Sequence, residues 1–155
     1  MFFDSDHAGD KSNRRSRTGF MIFLNMAMIN WHTKKQATIE GAVIGAGFVA
    51  MKQGVDVLRG IRFKLQMMGV KIDGPIYVYG DNMSVIHKTS KPKSVLKKKS
   101  NSICYHFVRE DVAMTEFLTT HVPTARNWAD LLTKVLFGKK RRKLVQGVLF
   151  DIYDY

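Results

Sequence analysis

Three aspartates occupy positions from which their carboxylates could converge on a divalent cation. Asp4 ends a first short apolar strand, Asp81 comes directly after a fourth, and Asp130 lies in a helical segment that follows a fifth. Sites collect at strand ends and adjacent helix turns of open α/β sheets, so these side chains could meet in space. Metal-dependent chemistry on phosphates needs several such oxygens at one point. Each aspartate alone is also a common cap or turn residue, and that alternative stays open.

The segments around these aspartates predict a mixed α/β layer fold. Residues 1–36 are rich in aromatic and β-branched residues in short runs, which predicts an antiparallel meander of three strands with a turn near Asn25. The downstream pattern alternates between strands and helices. Its predicted elements are a strand at 76–79, helices at 82–89 and 102–114, a strand at 117–122, a helix at 127–136 and a short amphipathic stretch from 139.

Residues 41–68 predict one long amphipathic helix with an apolar stripe against the sheet. The predicted stripe consists of Val43, Ala50, Val57, Leu58, Ile61, Leu65 and Met68. Gly45, Gly47, Gly54 and Gly60 also fall inside this helix. Each glycine costs about 1 kcal/mol relative to alanine, so helix propensity does not explain them.

Composition favours a polyanionic partner. The 155 residues carry a formal net charge of +12, which points to nucleic acid or an anionic membrane surface. Hydrophobic residues make up 45% of the sequence, which suffices for the core of one domain, residues 1–155. The uncharged run at 20–30 is shorter than the roughly 20 apolar residues that span a bilayer, and the acidic N-terminus is unlike a signal peptide. We expect no membrane association and no secretion, but an intracellular location in a cytoplasmic particle or the nucleus.

Basic side chains in three loops are candidates for phosphate contacts. They are Arg14, Arg15, Arg17, Lys34, Lys35, Lys97, Lys98 and Lys99. Such charges bind polyanions without reading sequence, although a solvated basic surface is an equally open interpretation. Two tryptophans and three methionines are predicted to lie in the core rather than to stack on bases: Trp31, Trp128, Met21, Met26 and Met28.

Six ordered segments, at residues 3–10, 17–20, 31–36, 79–86, 105–110 and 128–134, carry a family resemblance. Together they resemble the ribonuclease H domain at the end of Copia-type LTR retrotransposon polyproteins, over essentially the whole chain. The resemblance implies a ribonuclease H-like fold, with a five-stranded mixed sheet and flanking helices. It also implies hydrolysis of the RNA strand of RNA–DNA hybrids, with Asp4, Asp81 and Asp130 holding two Mg²⁺ or Mn²⁺ ions and Asp4 bridging them. The expected partners are an RNA–DNA hybrid or other nucleic acid and, as a further candidate, the reverse transcriptase segment of a parent polyprotein.

The sequence departs from this family at the fourth metal ligand. Gly47 occupies the position of the family's catalytic Glu and has no side chain to bind metal. On a helical wheel it lies about 40° from Val43, facing the sheet. Glu40 has a similar azimuth, but it lies about 10 Å away along the helix and is predicted to be a helix-start charge. Asp6, two residues from Asp4 on a strand, is a further candidate for the same face.

We therefore predict a domain that keeps the fold and the hybrid-binding surface but is a weak or inactive nuclease. A non-catalytic nucleic-acid-binding module is the leading alternative, and a basic interaction domain unrelated to nucleic acid is a third. The first strand has only three residues before Asp4, so we expect a piece of a longer polyprotein. Glycine at a catalytic position fits a decayed element and a deliberate substitution equally well.

Overall fold

The computed structural model describes residues 1–91 and 102–149. Its strands are β1 Phe2–Asp6, β2 Arg17–Leu24, β3 Ala27–Lys35, β4 Ile76–Gly80 and β5 Phe117–His121. Its helices are α1 Val43–Met67, α2 Met83–Ser90, α3 Ser102–Ala113, α4 Asp130–Thr133 and α5 Gly138–Gln146. A 3₁₀ turn, Thr124–Arg126, precedes α4. In the described residues, no helix is both long and apolar enough to cross a membrane.

The strands form one mixed sheet of five in the order β3-β2-β1-β4-β5. Antiparallel pairing joins β1 to β2 and β2 to β3, and parallel pairing joins β1 to β4 and β4 to β5. The predicted meander is confirmed, and Asn25 adopts a left-handed φ of 54° at its second turn. This order places β1, the strand that carries Asp4, in the middle of the sheet.

The main hydrophobic core lies between the sheet and α1. Phe48, Met51 and Val55 of α1 are fully buried and pack in one cluster with residues of β1, β2 and β4. The predicted stripe was wrong at its ends, because Val43 and Met68 are 49% and 77% exposed. The helix instead turns its glycine-containing face toward the core, where a Cβ on Gly54 would lie 2.5 Å from Met1 Sδ. Close packing, which the sequence pattern could not reveal, therefore accounts for this glycine.

Two further predictions were wrong, one on the length of the helix at 127–136 and one on the burial of Trp31 and Met26. The helix predicted at 127–136 contains only the four residues of α4. Asn127 lies outside it, buried, and its Nδ2 donates a hydrogen bond to the Phe3 carbonyl oxygen at 3.0 Å. Trp31 and Met26 are 62% and 82% exposed. Trp31 belongs to β3, which is an edge strand, and Met26 to the turn before it, so neither position is covered as a central strand would be.

Arg59 ties α1 to α3 through a buried carboxylate. Its Nη2 lies 2.8 Å from Oδ1 of Asp111, and its Nε lies 3.3 Å from Oε2 of Glu116. Asp111 is 2% exposed, and its Oδ2 has no hydrogen-bond partner among the residues that the structure describes. Burial raises the pKa of Asp111, while the positive charge of Arg59 opposes that increase. The arginine is thus the group that compensates this buried acid.

We expect Arg59→Met to lower the free energy of unfolding by about 1–3 kcal/mol, because Asp111 would be left buried without its ion pair. Urea denaturation monitored by circular dichroism measures the change. Lys71→Met is the control, since the Lys71 pair with Asp73 is exposed on both sides and should change stability by less than about 0.5 kcal/mol. Equal losses in the two variants would contradict this role of Arg59.

Candidate metal centre

The three predicted aspartates meet at one point. Asp4, Asp81 and Asp130 each offer a carboxylate oxygen, and these oxygens lie within 4.8 Å of one another. Asp4 is 5% exposed and Asp130 is completely buried, whereas Asp81 is half-buried. Residues from opposite ends of the sequence thus form one acidic cluster, which we call the acid triad.

Gly19 allows α4 to reach the sheet beside Asp4. Gly19 on β2 pairs with Asp4 on the neighbouring strand β1. A Cβ at position 19 would lie 2.6 Å from Cγ2 of Thr133 and 2.9 Å from Cβ of Leu132, so α4 packs directly on this glycine. The Thr33 hydroxyl then holds α4 to β3 by donating a hydrogen bond to the Leu132 carbonyl oxygen at 2.8 Å. The position of Asp130 depends on this close approach.

Asp81 is positioned by the end of β4 and the start of α2. It follows Gly80 directly, and the next residue, Asn82, caps α2. The Asn82 side-chain oxygen accepts hydrogen bonds from the backbone amides of Ser84 and Val85 at 3.1 and 3.3 Å. A capping asparagine is a strong helix-start signal, and it fixes the turn that carries Asp81.

Lys134 lies among the carboxylates of the acid triad. Its Nζ is 2.8 Å from Oδ1 of Asp130, 3.1 Å from Oδ2 of Asp4 and 4.0 Å from Oδ2 of Asp81. Lys140 Nζ lies 2.5 Å from the second oxygen of Asp130. Neither lysine was predicted to belong to this site. The i,i+4 spacing of Asp130 and Lys134 could have identified one of them, but Lys140 lies beyond the end of α4 and had no such signal.

Burial and charge oppose each other within the triad. Burial raises the pKa of Asp4, and the charges of Asp130 and Asp81 add to this increase. The charge of Lys134 and a hydrogen bond from the Thr133 hydroxyl act in the opposite direction. Burial alone would lower the pKa of Lys134, but its hydrogen bond to Asp130 and the charge of Asp4 outweigh burial and raise it. The acids therefore hold the lysine firmly in its protonated form.

The donor set fits a hard divalent cation. Three converging carboxylates are the ligands that Mg²⁺ and Mn²⁺ prefer, and two of them are removed from competing water. Asp4 and Asp81 also line an open pocket of about 520 Å³, together with Lys134. This pocket gives a ligand access to the triad.

Gly47 lies on the wall of the same pocket, whose lining also includes Phe3 and Asp4 of β1. A Cβ built there would meet Cγ2 of Val85 at 2.7 Å and Nδ2 of Asn82 at 3.8 Å, both from the start of α2. The wheel treats the helix in isolation and could not show that α2 packs against this position. A larger residue at position 47 would have to displace Val85.

The two other acidic candidates lie outside the acid triad. Asp6 accepts a hydrogen bond from the backbone amide of Arg17. Glu40 precedes Ala42, the residue that caps α1, so it is not in the first turn of the helix as predicted. Its carboxylate accepts a hydrogen bond from the Thr38 hydroxyl at 3.1 Å. Among the described residues, neither acid joins the group formed by Asp4, Asp81 and Asp130.

Part of the predicted basic surface adjoins the triad. Arg14, Arg15, Arg17, Lys34 and Lys35 are all exposed. Of these five, Arg15, Arg17 and Lys35 line a pocket of about 250 Å³ that also contains Thr133, the residue bonded to Asp4. Lys35 forms an ion pair with Asp10, whose pKa is held well below its ordinary value by hydrogen bonds from Lys35 and Ser12. Lys97, Lys98 and Lys99 lie outside the described residues.

Comparison with solved structures identifies the class of fold. The chain resembles RNase H1 from the halophilic archaeon Halobacterium salinarum NRC-1, with a TM-score of 0.61 and 16% identity over 84% of this chain and 90% of that one. It also resembles an N-terminal RNase H domain from Mycobacterium tuberculosis, with a TM-score of 0.62 and 15% identity over 94% of both chains. The predicted ribonuclease H-like fold is confirmed.

The relatives by sequence are transposon proteins. The chain is 29% identical over 135 residues to the retrovirus-related Pol polyprotein from transposon RE1 of Arabidopsis thaliana, and 28% identical over 135 residues to that from transposon TNT 1-94 of Nicotiana tabacum. These matches cover 87% of this chain but only 9% and 10% of the relatives' lengths. No protein-family profile matches the chain. The predicted resemblance to Copia-type retrotransposon polyproteins is confirmed.

The packing at Gly19 generates a stability prediction. We expect Gly19→Ala to lower the free energy of unfolding by about 1–3 kcal/mol, because the added methyl group forces α4 away from the sheet. Gly60→Ala on α1 is the matched control, since a Cβ there meets nothing within 4 Å. Removing that helical glycine should raise stability by about 0.5–1 kcal/mol. Thermal and urea unfolding of both variants check the opposite signs, and a neutral or stabilising Gly19→Ala would refute the packing argument.

Proposed function

We propose that the chain is a single ribonuclease H-type domain that binds RNA–DNA hybrids, holds divalent metal at the acid triad and cleaves the RNA strand weakly. The observation that carries this proposal is the convergence of Asp4, Asp81 and Asp130 within 4.8 Å. The ribonuclease H-like fold and the transposon polyprotein relatives support the same function.

The residues divide the work between metal binding and substrate binding. Asp4, Asp81 and Asp130 would hold Mg²⁺ or Mn²⁺. A metal held there would supply an activated water and would stabilise the charge on the leaving oxygen. Thr133 orients the carboxylate of Asp4, since its hydroxyl donates a hydrogen bond to Oδ2 of that residue.

Arg15 and Arg17 are the proposed contacts with the nucleic-acid backbone. Both are exposed, and both line the small pocket that shares Thr133 with the triad. A phosphate bound there would place a neighbouring phosphodiester near the acids. Such contacts position a duplex without reading its sequence, as a nuclease that acts on any hybrid requires.

Weak cleavage follows from Gly47 in this proposal. The site has three carboxylates where the family pattern has four, and the space beside Gly47 is occupied by Val85. Water can fill the missing coordination position on a hard cation. Catalysis is more sensitive than binding, because a displacement of about 1 Å in a reacting group can reduce the rate on the order of a hundredfold.

A non-catalytic nucleic-acid-binding module is the second candidate. The same departure at Gly47 favours it, and so does the ammonium of Lys134 among the carboxylates. The two candidates share the basic surface and differ in turnover. Metal-dependent cleavage by the parent chain, abolished in Asp4→Asn, would decide for the enzyme.

The direct test restores a carboxylate at position 47. We expect Gly47→Glu combined with Val85→Ala to cleave a labelled RNA–DNA hybrid faster than the parent chain in Mg²⁺ or Mn²⁺, by about tenfold or more. Val85→Ala is included because a Cβ at position 47 would lie 2.7 Å from Cγ2 of Val85. Single-turnover cleavage measured on a denaturing gel gives the rate.

The control for this test has the same shape without the charge. Gly47→Gln with Val85→Ala, and Val85→Ala alone, should show no gain in rate. Robust and equal cleavage by the parent and the Glu variant would disprove the role assigned to position 47. A gain in the Gln variant would assign the effect to packing rather than to a metal ligand.

A second test concerns the basic surface. We expect Arg15→Gln with Arg17→Gln to weaken hybrid binding and to reduce the slope of log K against log salt by about one for each phosphate that the protein no longer neutralises. Fluorescence anisotropy at several salt concentrations measures both quantities. Lys64→Gln with Lys71→Gln removes the same charge near the far end of α1 and should leave the slope unchanged. Equal effects of the two double variants would mean that only net charge matters.

A further inference from the structure

Lys134 occupies the position among the carboxylates that a bound cation would need. Its Nζ is within 3.1 Å of oxygens on both Asp4 and Asp130, and 4.0 Å from Asp81. The residue is also fixed at its backbone, where its N–H donates a hydrogen bond to the Asp130 carbonyl oxygen at 3.0 Å. The backbone of Lys134 is therefore fixed at the end of α4, and its side-chain ammonium lies among the carboxylates of the acid triad.

The positive charge of Lys134 reduces the repulsion among the carboxylates of the acid triad. Three carboxylates this close repel one another and are costly to bury unless positive charge lies among them. Lys134 Nζ lies within 4.0 Å of an oxygen of each of the three acids, whereas Lys140 pairs with Oδ2 of Asp130. Since Gly47 adds no fourth carboxylate, the ammonium groups of Lys134 and Lys140 together offset most of the negative charge of the triad.

The Lys134 ammonium and a divalent ion cannot occupy this position at the same time. A divalent ion takes carboxylate oxygens at about 2.0–2.6 Å, so an ion bound to Asp4 and Asp130 would lie next to the ammonium and repel it. The Lys134 side chain is 34% exposed and lines the open pocket, which leaves it a path toward solvent. Lysine is suited to this because its stem is flexible and its charge is compact.

We propose that Lys134 is the resident counter-ion of the acid triad, stabilising the fold without metal and competing with the divalent cation for the same carboxylates. The competition rests on the proposed metal site. In this chain the lysine compensates the charge of the carboxylates when no metal is bound. Metal must displace the ammonium before it can bind.

The test measures metal binding and stability directly, without cleavage. The full chain and its Lys134→Met variant are titrated with Mn²⁺, and free Mn²⁺ is quantified by electron paramagnetic resonance. We expect Lys134→Met to bind Mn²⁺ about tenfold or more tightly than the parent, because the competing charge is gone. Without metal its melting temperature should fall, and Mn²⁺ should raise it further than in the parent.

Controls separate this effect from net charge and from misfolding. Lys71→Met removes one exposed positive charge and should change neither quantity. In an Asp4→Asn background, Lys134→Met should cost less stability than in the parent, because one repelling carboxylate is gone. If Lys134→Met is unfolded without metal, recovery of its folded circular dichroism spectrum on adding Mn²⁺ would support the proposal, and no recovery would overturn it.

The outcomes distinguish this inference from the proposed function. If the parent binds Mn²⁺ and Lys134→Met binds it no more tightly, or melts no lower without metal, the counter-ion role is wrong and the metal site stands. If no variant binds Mn²⁺, the metal site fails and the competition fails with it. The Asp4→Asn comparison then still decides whether Lys134 stabilises the metal-free triad.

Discussion

The structure depends on neutralising negative charge that the fold itself concentrates. β1 carries Asp4 in the middle of the sheet, and α4 brings Asp130 against it with no exposed surface. Buried like charges at this separation destabilise a protein unless cations or hydrogen bonds compensate them. Lys134, Lys140 and the Thr133 hydroxyl provide that compensation within the chain. The stability of this region and its capacity to bind metal are consequently two aspects of one charge balance.

The sequence was informative where local pattern decides structure. Short runs rich in aromatic and β-branched residues predicted the meander, and the carboxyl ends of predicted strands identified Asp4 and Asp81 correctly as neighbours. It failed where tertiary contacts decide. Nothing local distinguishes the edge strand that exposes Trp31 from a central strand, and the path of the chain after α4, which brings Lys140 to Asp130, has no periodic signature. The role of position 47 came from family resemblance and not from any physical pattern.

The glycines of α1 show how packing gives meaning to residues that look unfavourable in isolation. Gly54 accommodates Met1, and Gly47 accommodates Val85, whereas a side chain at Gly60 would meet open space. The first two are therefore matched to their neighbours and the third costs helix stability without visible compensation. Gly47 is thus part of a local fit between α1 and α2.

The central place of β1 also orders events during translation. β1 pairs with β2, which is near in sequence, but its other neighbour is β4, through Phe2 and Tyr79. A nascent chain can form the N-terminal hairpins early, while pairings of high contact order wait for later segments to leave the ribosome. Asp130 is the last of the three aspartates of the triad to be synthesised. The growing polypeptide thus exposes the free edge of β1 until β4, residues 76–80, has emerged.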